Sequence, residues 1–168
     1  MMIAEAAPES LSDDFYAGPE ALFAQTTLLA FQEAGVRVAS IQDILDKGIY
    51  LTTAVKCGKT AYGIAPTSIQ NCSRLLEREI ALFPGVKVYL LMGDVAIRAL
   101  NAIAKRNREP RVIPAGSTYK IRGGTFAFRG ARVFPSYLQA GSSFFIERSK
   151  RRMIAQDIAA ALGDVGIS

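Results

Sequence analysis

The 168-residue chain contains no histidine and no tryptophan, and only two cysteines. Without imidazole there is no Ser-His-Asp triad, no Cys-His nucleophile and little scope for catalytic zinc. Two thiols cannot build a disulfide framework. No run approaches the roughly 18 uncharged apolar residues that a membrane span needs. The first residues, MMIAEAAPES, lack a basic flank followed by a long apolar stretch. No secretory signal is read there, and a cytoplasmic location is expected. What is present is globular: 50% of residues are hydrophobic and 21% charged. Those values exclude wholesale disorder and fit one domain over residues 1–168.

Charge is unevenly spread. Residues 1–47 carry eight acids and two bases, whereas residues 98–152 carry thirteen bases and two acids. A basic half of this kind suits a polyanion such as nucleic acid, although arginines and lysines also decorate ordinary solvated helices.

Periodicity predicts alternating strands and helices. A short strand ends over Ile3–Ala6, and a loop follows through Gly18. Pro19 is placed to open a helix with apolar residues at 22, 28, 29 and 31, and Gly35 to end it. Ser40 reads as the cap of a short helix that stops at Gly48. Residues 49–55 are a β-branched run, and Thr67 caps a helix with an apolar stripe at 69, 72, 76, 80 and 83. Val86–Met92 is nearly all apolar, as in a parallel strand covered on both faces. Gly93-Asp94 turns directly into the next helix. TYKIR, TFAFR and ARVFPSY, between 118 and 137, read as three short alternating strands separated by glycines. A last helix is predicted over about 143–162. The expected architecture is a three-layer α/β/α sandwich around a mainly parallel sheet. Sites in such sheets gather at the strands' carboxyl ends, here Glu5–Pro8, Thr53–Cys57, Gly93-Asp94 and Pro135–Gln139.

Two local motifs carry little chemistry by themselves. Gly58-Lys59-Thr60 lacks the glycine that a phosphate loop needs five positions earlier, where Thr53 stands. Cys57 and Cys72 supply two of the four ligands of a zinc or iron–sulfur site, and Cys72 lies on an apolar helix stripe. No cofactor and no metal cluster are expected.

The strand-end segments form an ordered series: AEAAPES at 4–10, FYAGPEALF at 15–23, YLTTAVKC at 50–57, Cys72, KVYLLMGDVAIRALN at 87–101 and VFPSYLQA at 133–140. The series resembles the uracil-DNA glycosylase superfamily, and most of all its iron–sulfur branch. That resemblance implies a parallel-sheet α/β fold, DNA as partner and excision of a flipped base. It implies Glu5 as the catalytic residue that positions or polarises the attacking water. Tyr16 falls where an aromatic stacks on the flipped base, a contact worth about 1–3 kcal/mol. Thr53 takes the place of an asparagine that reads the uracil edge, and its single hydroxyl cannot reproduce a bidentate amide contact. Leu138 takes the place of a histidine that supports the departing base. Losing one such donor commonly costs about 10²–10³ in rate. Cys57 and Cys72 match the last two of the family's four cluster cysteines. Nucleic-acid contacts are expected at Ser136, Gln139, Ser142 and Ser143, and at Arg148, Lys150 and Arg151 on the following helix. Phe144 is read either as a wedge between bases or as an anchor that docks that helix.

Three functions stay open on the sequence. One is a divergent base-excision glycosylase hydrolysing an N-glycosidic bond. Another is a catalytically inactive nucleic-acid-binding module on the same fold. The third is a protein that binds free bases or nucleotides.

Overall fold

A five-residue strand buried at every position, Val88–Met92, sits at the centre of the molecule. The computed structural model describes residues 1–58 and 63–167. Five strands form one sheet: β1 (Met2–Ala7), β2 (Leu51–Gly58), β3 (Val88–Met92), β4 (Phe126–Phe128) and β5 (Ala131–Ser136), in spatial order β2-β1-β3-β5-β4. All pairings are parallel except that of β4 with β5. The helices are α1 (Leu22–Glu33), α2 (Ile41–Asp46), α3 (Pro66–Ala81), α4 (Asp94–Arg106), α5 (Thr118–Ile121) and α6 (Arg148–Asp164).

Alternation along each strand divides the core in two. Ile3, Ala54, Tyr89, Leu91 and Val133 face α3 and α4. Met2, Ala4, Leu51, Leu90, Met92 and Phe134 face α1, α2 and α6. The expected three-layer α/β/α arrangement with a mainly parallel sheet is therefore present. Ser40 caps α2 as predicted, in a reciprocal box: its hydroxyl accepts from the Asp43 amide at 3.2 Å, and the Asp43 carboxylate accepts from the Ser40 amide at 3.0 Å. Cys72 is buried in the core with Ile69, Leu76 and Ile80 on the predicted stripe. Among the described residues, no helix is long and apolar enough to cross a membrane.

Several local expectations fail. TYKIR is not a strand: Thr118–Ile121 forms one helical turn, and only the next two segments pair as β4 and β5. Helix α1 begins at Leu22 after Pro19 has passed, and α3 begins at Pro66, ahead of Thr67. The buried face of α1 is Ala24, Thr26, Thr27, Ala30 and Phe31 rather than the leucines at 28 and 29. The last helix starts at Arg148, behind a separate 3₁₀ turn over Ser142–Phe145. Lys59 and Thr60 of the Gly58-Lys59-Thr60 motif lie outside the described residues.

Candidate active site at the strand tips

Parallel pairing brings the carboxyl ends of β1, β2, β3 and β5 to one edge of the sheet. Ala6 pairs with Val55, Ala7 with Gly58, and Met92 with Ser136. Beyond the last pair, the Gly93 amide donates to the Ser136 carbonyl at 3.0 Å.

Glu5 stands at the centre of this edge. Its odd position on β1 turns it toward α4, where Oε1 lies 3.5 Å from the Val95 amide at the start of the helix. Gly93 makes room for it. A methyl group on Gly93 would sit within 2.8 Å of the Glu5 carboxyl carbon, and the residue has φ = +105°, which glycine alone adopts readily. The N-terminus of α4 thus faces a half-buried carboxylate, a placement that its dipole favours.

The other strand-tip residues turn inward. Thr53 is buried, and its hydroxyl donates to the Val55 carbonyl at 3.0 Å. Ser136 is fully buried and donates to Asp157 Oδ2 at 2.6 Å. Asp157, on α6, is also held by the Arg122 guanidinium at 2.8 Å. Burial pushes the Asp157 carboxyl above its usual range, even though Arg122 and Ser136 hydrogen-bond it. Gln139 has no exposed surface; its Nε2 reaches Thr27 Oγ1 at 3.4 Å, and its Oε1 has no hydrogen-bond partner. Ser136 and Gln139 therefore do not present their side chains to a nucleic acid in this structure, because α1 and α6 cover them. Leu138 is half-buried against the α1–α6 layer.

Tyr16 also departs from expectation. Its hydroxyl donates to the Leu51 carbonyl at 2.7 Å and accepts from the Leu51 amide at 3.3 Å. Leu51 pairs with Met2, three residues before Glu5, so the phenol sits about 10 Å back along the sheet. The cause is the edge position of β2, whose outward N–H and C=O need a partner. Burial also pushes the Tyr16 phenol upward from its ordinary pKa.

The segment after β5 supplies an exposed, cationic surface. Ser142, Ser143 and Arg148 are exposed. Phe144 is buried and anchors the turn, while its neighbours Phe145 and Ile146 stand out, Ile146 being 77% exposed. Arg151 stacks over Phe144 with 4.8 Å from guanidinium carbon to ring centre and pairs with Glu33. Lys150 pairs with Glu147 at 2.9 Å and lies over the Tyr137 ring. Arg148, Arg151 and Arg152 line a surface cavity of about 350 Å³ with Glu33. These cations occupy the first turns of α6, the end where the helix dipole disfavours positive charge. Sequence pattern pointed to the arginines; nothing in it distinguished Phe145 and Ile146 from Phe144, or marked Asp157 as the partner of Ser136.

Comparison with known proteins gives a match to the model of the uracil DNA glycosylase superfamily over residues 6–161. The chain belongs to that superfamily. It is also 31% identical over 94 residues to the Type-5 uracil-DNA glycosylase of Thermus thermophilus. That alignment covers 56% of this chain and 43% of the relative, so the chain spans less than half of the curated protein it matches.

Within the superfamily, the two cysteines test the link to the iron–sulfur branch. Cys57 is exposed at the end of β2, whereas Cys72 is buried in the core. Among the described residues, no group of three or more histidine, cysteine, aspartate or glutamate side chains is placed to hold a metal. The described residues supply two cysteines, half of a four-cysteine ligand set, and one of the two is packed in the core.

Proposed function

We propose that the chain is a uracil-DNA glycosylase-like protein that excises a base extruded from DNA. The carrying observation is Glu5: a half-buried carboxylate at the tip of the central strands, seated on Gly93 and beside the Val95 amide at the start of α4. In this reading hydrolysis breaks the bond between sugar C1′ and the base nitrogen, and the electron pair leaves with the base. Water forms the new C1′–O bond, and the Glu5 carboxylate orients it and takes its proton. With Leu138 in place of a hydrogen-bond donor, the departing base gains little support from that side.

DNA is held, on this proposal, by the start of α6. Arg148 and Arg152 meet phosphates, with Ser142 and Ser143 beside them. Phe145 and Ile146 are the apolar side chains available to press between bases, the task that the sequence suggested for Phe144. Lys150 and Arg151 have carboxylate partners in Glu147 and Glu33, whereas Arg148 and Arg152 stand at the positive end of the helix dipole with none among the described residues, which supports this assignment.

A second reading is a binding module without turnover. It draws on Thr53, whose hydroxyl is bonded inward, on Gln139, which is fully buried with its amide nitrogen toward Thr27, and on Leu138. One experiment separates the two. Single- and double-stranded oligonucleotides carrying uracil, hypoxanthine or xanthine are incubated with excess protein and assayed for abasic sites. The glycosylase reading expects product that falls at least about 100-fold in Glu5→Gln, with the melting temperature retained. Salt-dependent binding with no abasic product from any substrate rejects it in favour of the module.

A further inference from the structure

A second cationic surface lies on the opposite face of the sheet from α6. Helices α3 and α4 enclose a groove of about 500 Å³, rimmed by Arg98, Lys105, Arg108 and Arg111. Arg98 has one distant carboxylate, Asp94 at 3.8 Å. Among the described residues, Lys105, Arg108 and Arg111 pair with none; Glu109, the one acid lining the groove, is bound through Oε1 to Arg129 at 2.8 Å and has no hydrogen-bond partner at Oε2. The α4 dipole accounts for cations at Lys105 and Arg108, at the helix's C-terminal end, but not for Arg98 or Arg111.

The backbone adds an independent sign. Helix α4 ends in a Schellman turn: the Glu109 amide donates to the Ala104 carbonyl at 2.9 Å, and the Arg108 amide to the Lys105 carbonyl at 3.2 Å. The left-handed position of such a turn normally belongs to glycine. Here it holds Arg108 at φ = +58°. An arginine kept where it strains the chain places its guanidinium on the groove rim. The following loop is also built rather than loose. Asn101 accepts from the Val112 and Ile113 amides at 3.0 Å each, and Arg111 Nε donates to the Ile113 carbonyl at 2.8 Å.

We infer that this groove binds the phosphodiester backbone of nucleic acid as a second contact, separate from the surface on α6. Arg98 and Lys105 are seven residues apart, or about 10 Å along the helix. That span covers about three steps of 3.4 Å axial rise, so the two side chains reach phosphates about three nucleotides apart on one strand. Arg108 and Arg111 extend the row past the helix end. Since the α6 surface lies on the other face, the groove takes a further stretch of the same molecule or a second one. The inference rests on the proposed role in acting on DNA.

The test compares the wild-type chain with an Arg98→Gln/Lys105→Gln/Arg108→Gly variant. Its last change relieves the strained turn, so the variant should melt at or above the wild-type temperature. Fluorescent 12-mers and 40-mers, single-stranded and duplex, are titrated across salt concentrations. The wild type should gain affinity with length. The variant should lose that gain, and the slope of log K against log salt should shrink by about 2–3 on the 40-mers. A gain confined to single strands or to duplexes tells which form the groove accepts. A variant that keeps the full length effect overturns the inference while leaving the proposed function intact. Displacement of the 40-mer by polyglutamate as effective as by oligonucleotide also overturns it. A wild type that binds none of the four probes removes the proposed function as well.

Discussion

Glu5 is the half-buried carboxylate of the strand tips, beside the start of α4. Glu5 lies at the tip as expected, because period-two alternation on a short strand leaves few choices. Thr53, Ser136 and Gln139 also stand on the anticipated segments, yet each is bonded into the protein. Their partners come from distant parts of the sequence: Gln139 meets Thr27, and Ser136 meets Asp157. No local pattern announces such pairs. Gln139 also carries a buried acceptor, Oε1, with no partner. An orphaned acceptor costs about 1–3 kcal/mol, so Gln139→Met, similar in shape, should stabilise the protein by about 1 kcal/mol in urea titration. A decrease in the denaturation midpoint would mean that the oxygen is satisfied in solution.

At the scale of elements, strong periodicity succeeded and weak periodicity failed. The stripe on α3 and the apolar run of β3 leave little ambiguity. TYKIR alternates like a strand, but Arg122 ties its end to α6. That side chain donates to the Met153 carbonyl at 3.1 Å and to Asp157, which closes the segment into a helical turn. Helix α1 misled through its threonines. Thr26 is buried because its hydroxyl donates to the Leu22 carbonyl at 3.0 Å and accepts from the Gly141 amide at 3.1 Å. The junction between β3 and α4 gives the sharpest test at this scale. Gly93→Ala would force an L-residue to positive φ, at about 1–2 kcal/mol, and push on Glu5. Melting temperature and abasic-site formation should fall together, whereas Glu5→Gln should lower only the second. An unchanged Gly93→Ala protein would show that this seat does not position the carboxylate.

Across the whole molecule, charge joins elements that sequence order separates. Glu77 on α3 accepts from Arg106 on α4, from Arg129 in the β4–β5 turn at 3.0 Å, and from Asn107 at 2.6 Å. Burial acts to raise its pKa, but the Arg106, Arg129 and Asn107 hydrogen bonds prevail and hold the carboxyl below its ordinary value of 4.5. A depressed folded-state pKa adds stability that is complete above the unfolded value and fades as acid protonates the folded group. Stability should therefore fall as pH drops from about 4.5 through the lower folded pKa. Glu77→Gln should be less stable than wild type at pH 7, and the two should converge in this acid range. Parallel pH–stability curves would show that the Glu77 network contributes nothing electrostatic. The uneven charge of the chain was visible in the sequence; its division between opposite faces of the sheet depends on chain topology, which composition does not encode.

The phenol on β2 has a consequence for association. An unguarded sheet margin offers amides and carbonyls to any neighbouring chain, which can then add itself as another strand. Tyr16 occupies two of those groups at Leu51 with a single oxygen. Tyr16→Phe keeps the ring but vacates both. Light scattering of concentrated samples should then report larger species than the wild type gives under the same conditions. If the mutant stays as monodisperse as its parent, that margin is guarded by something other than the tyrosine oxygen.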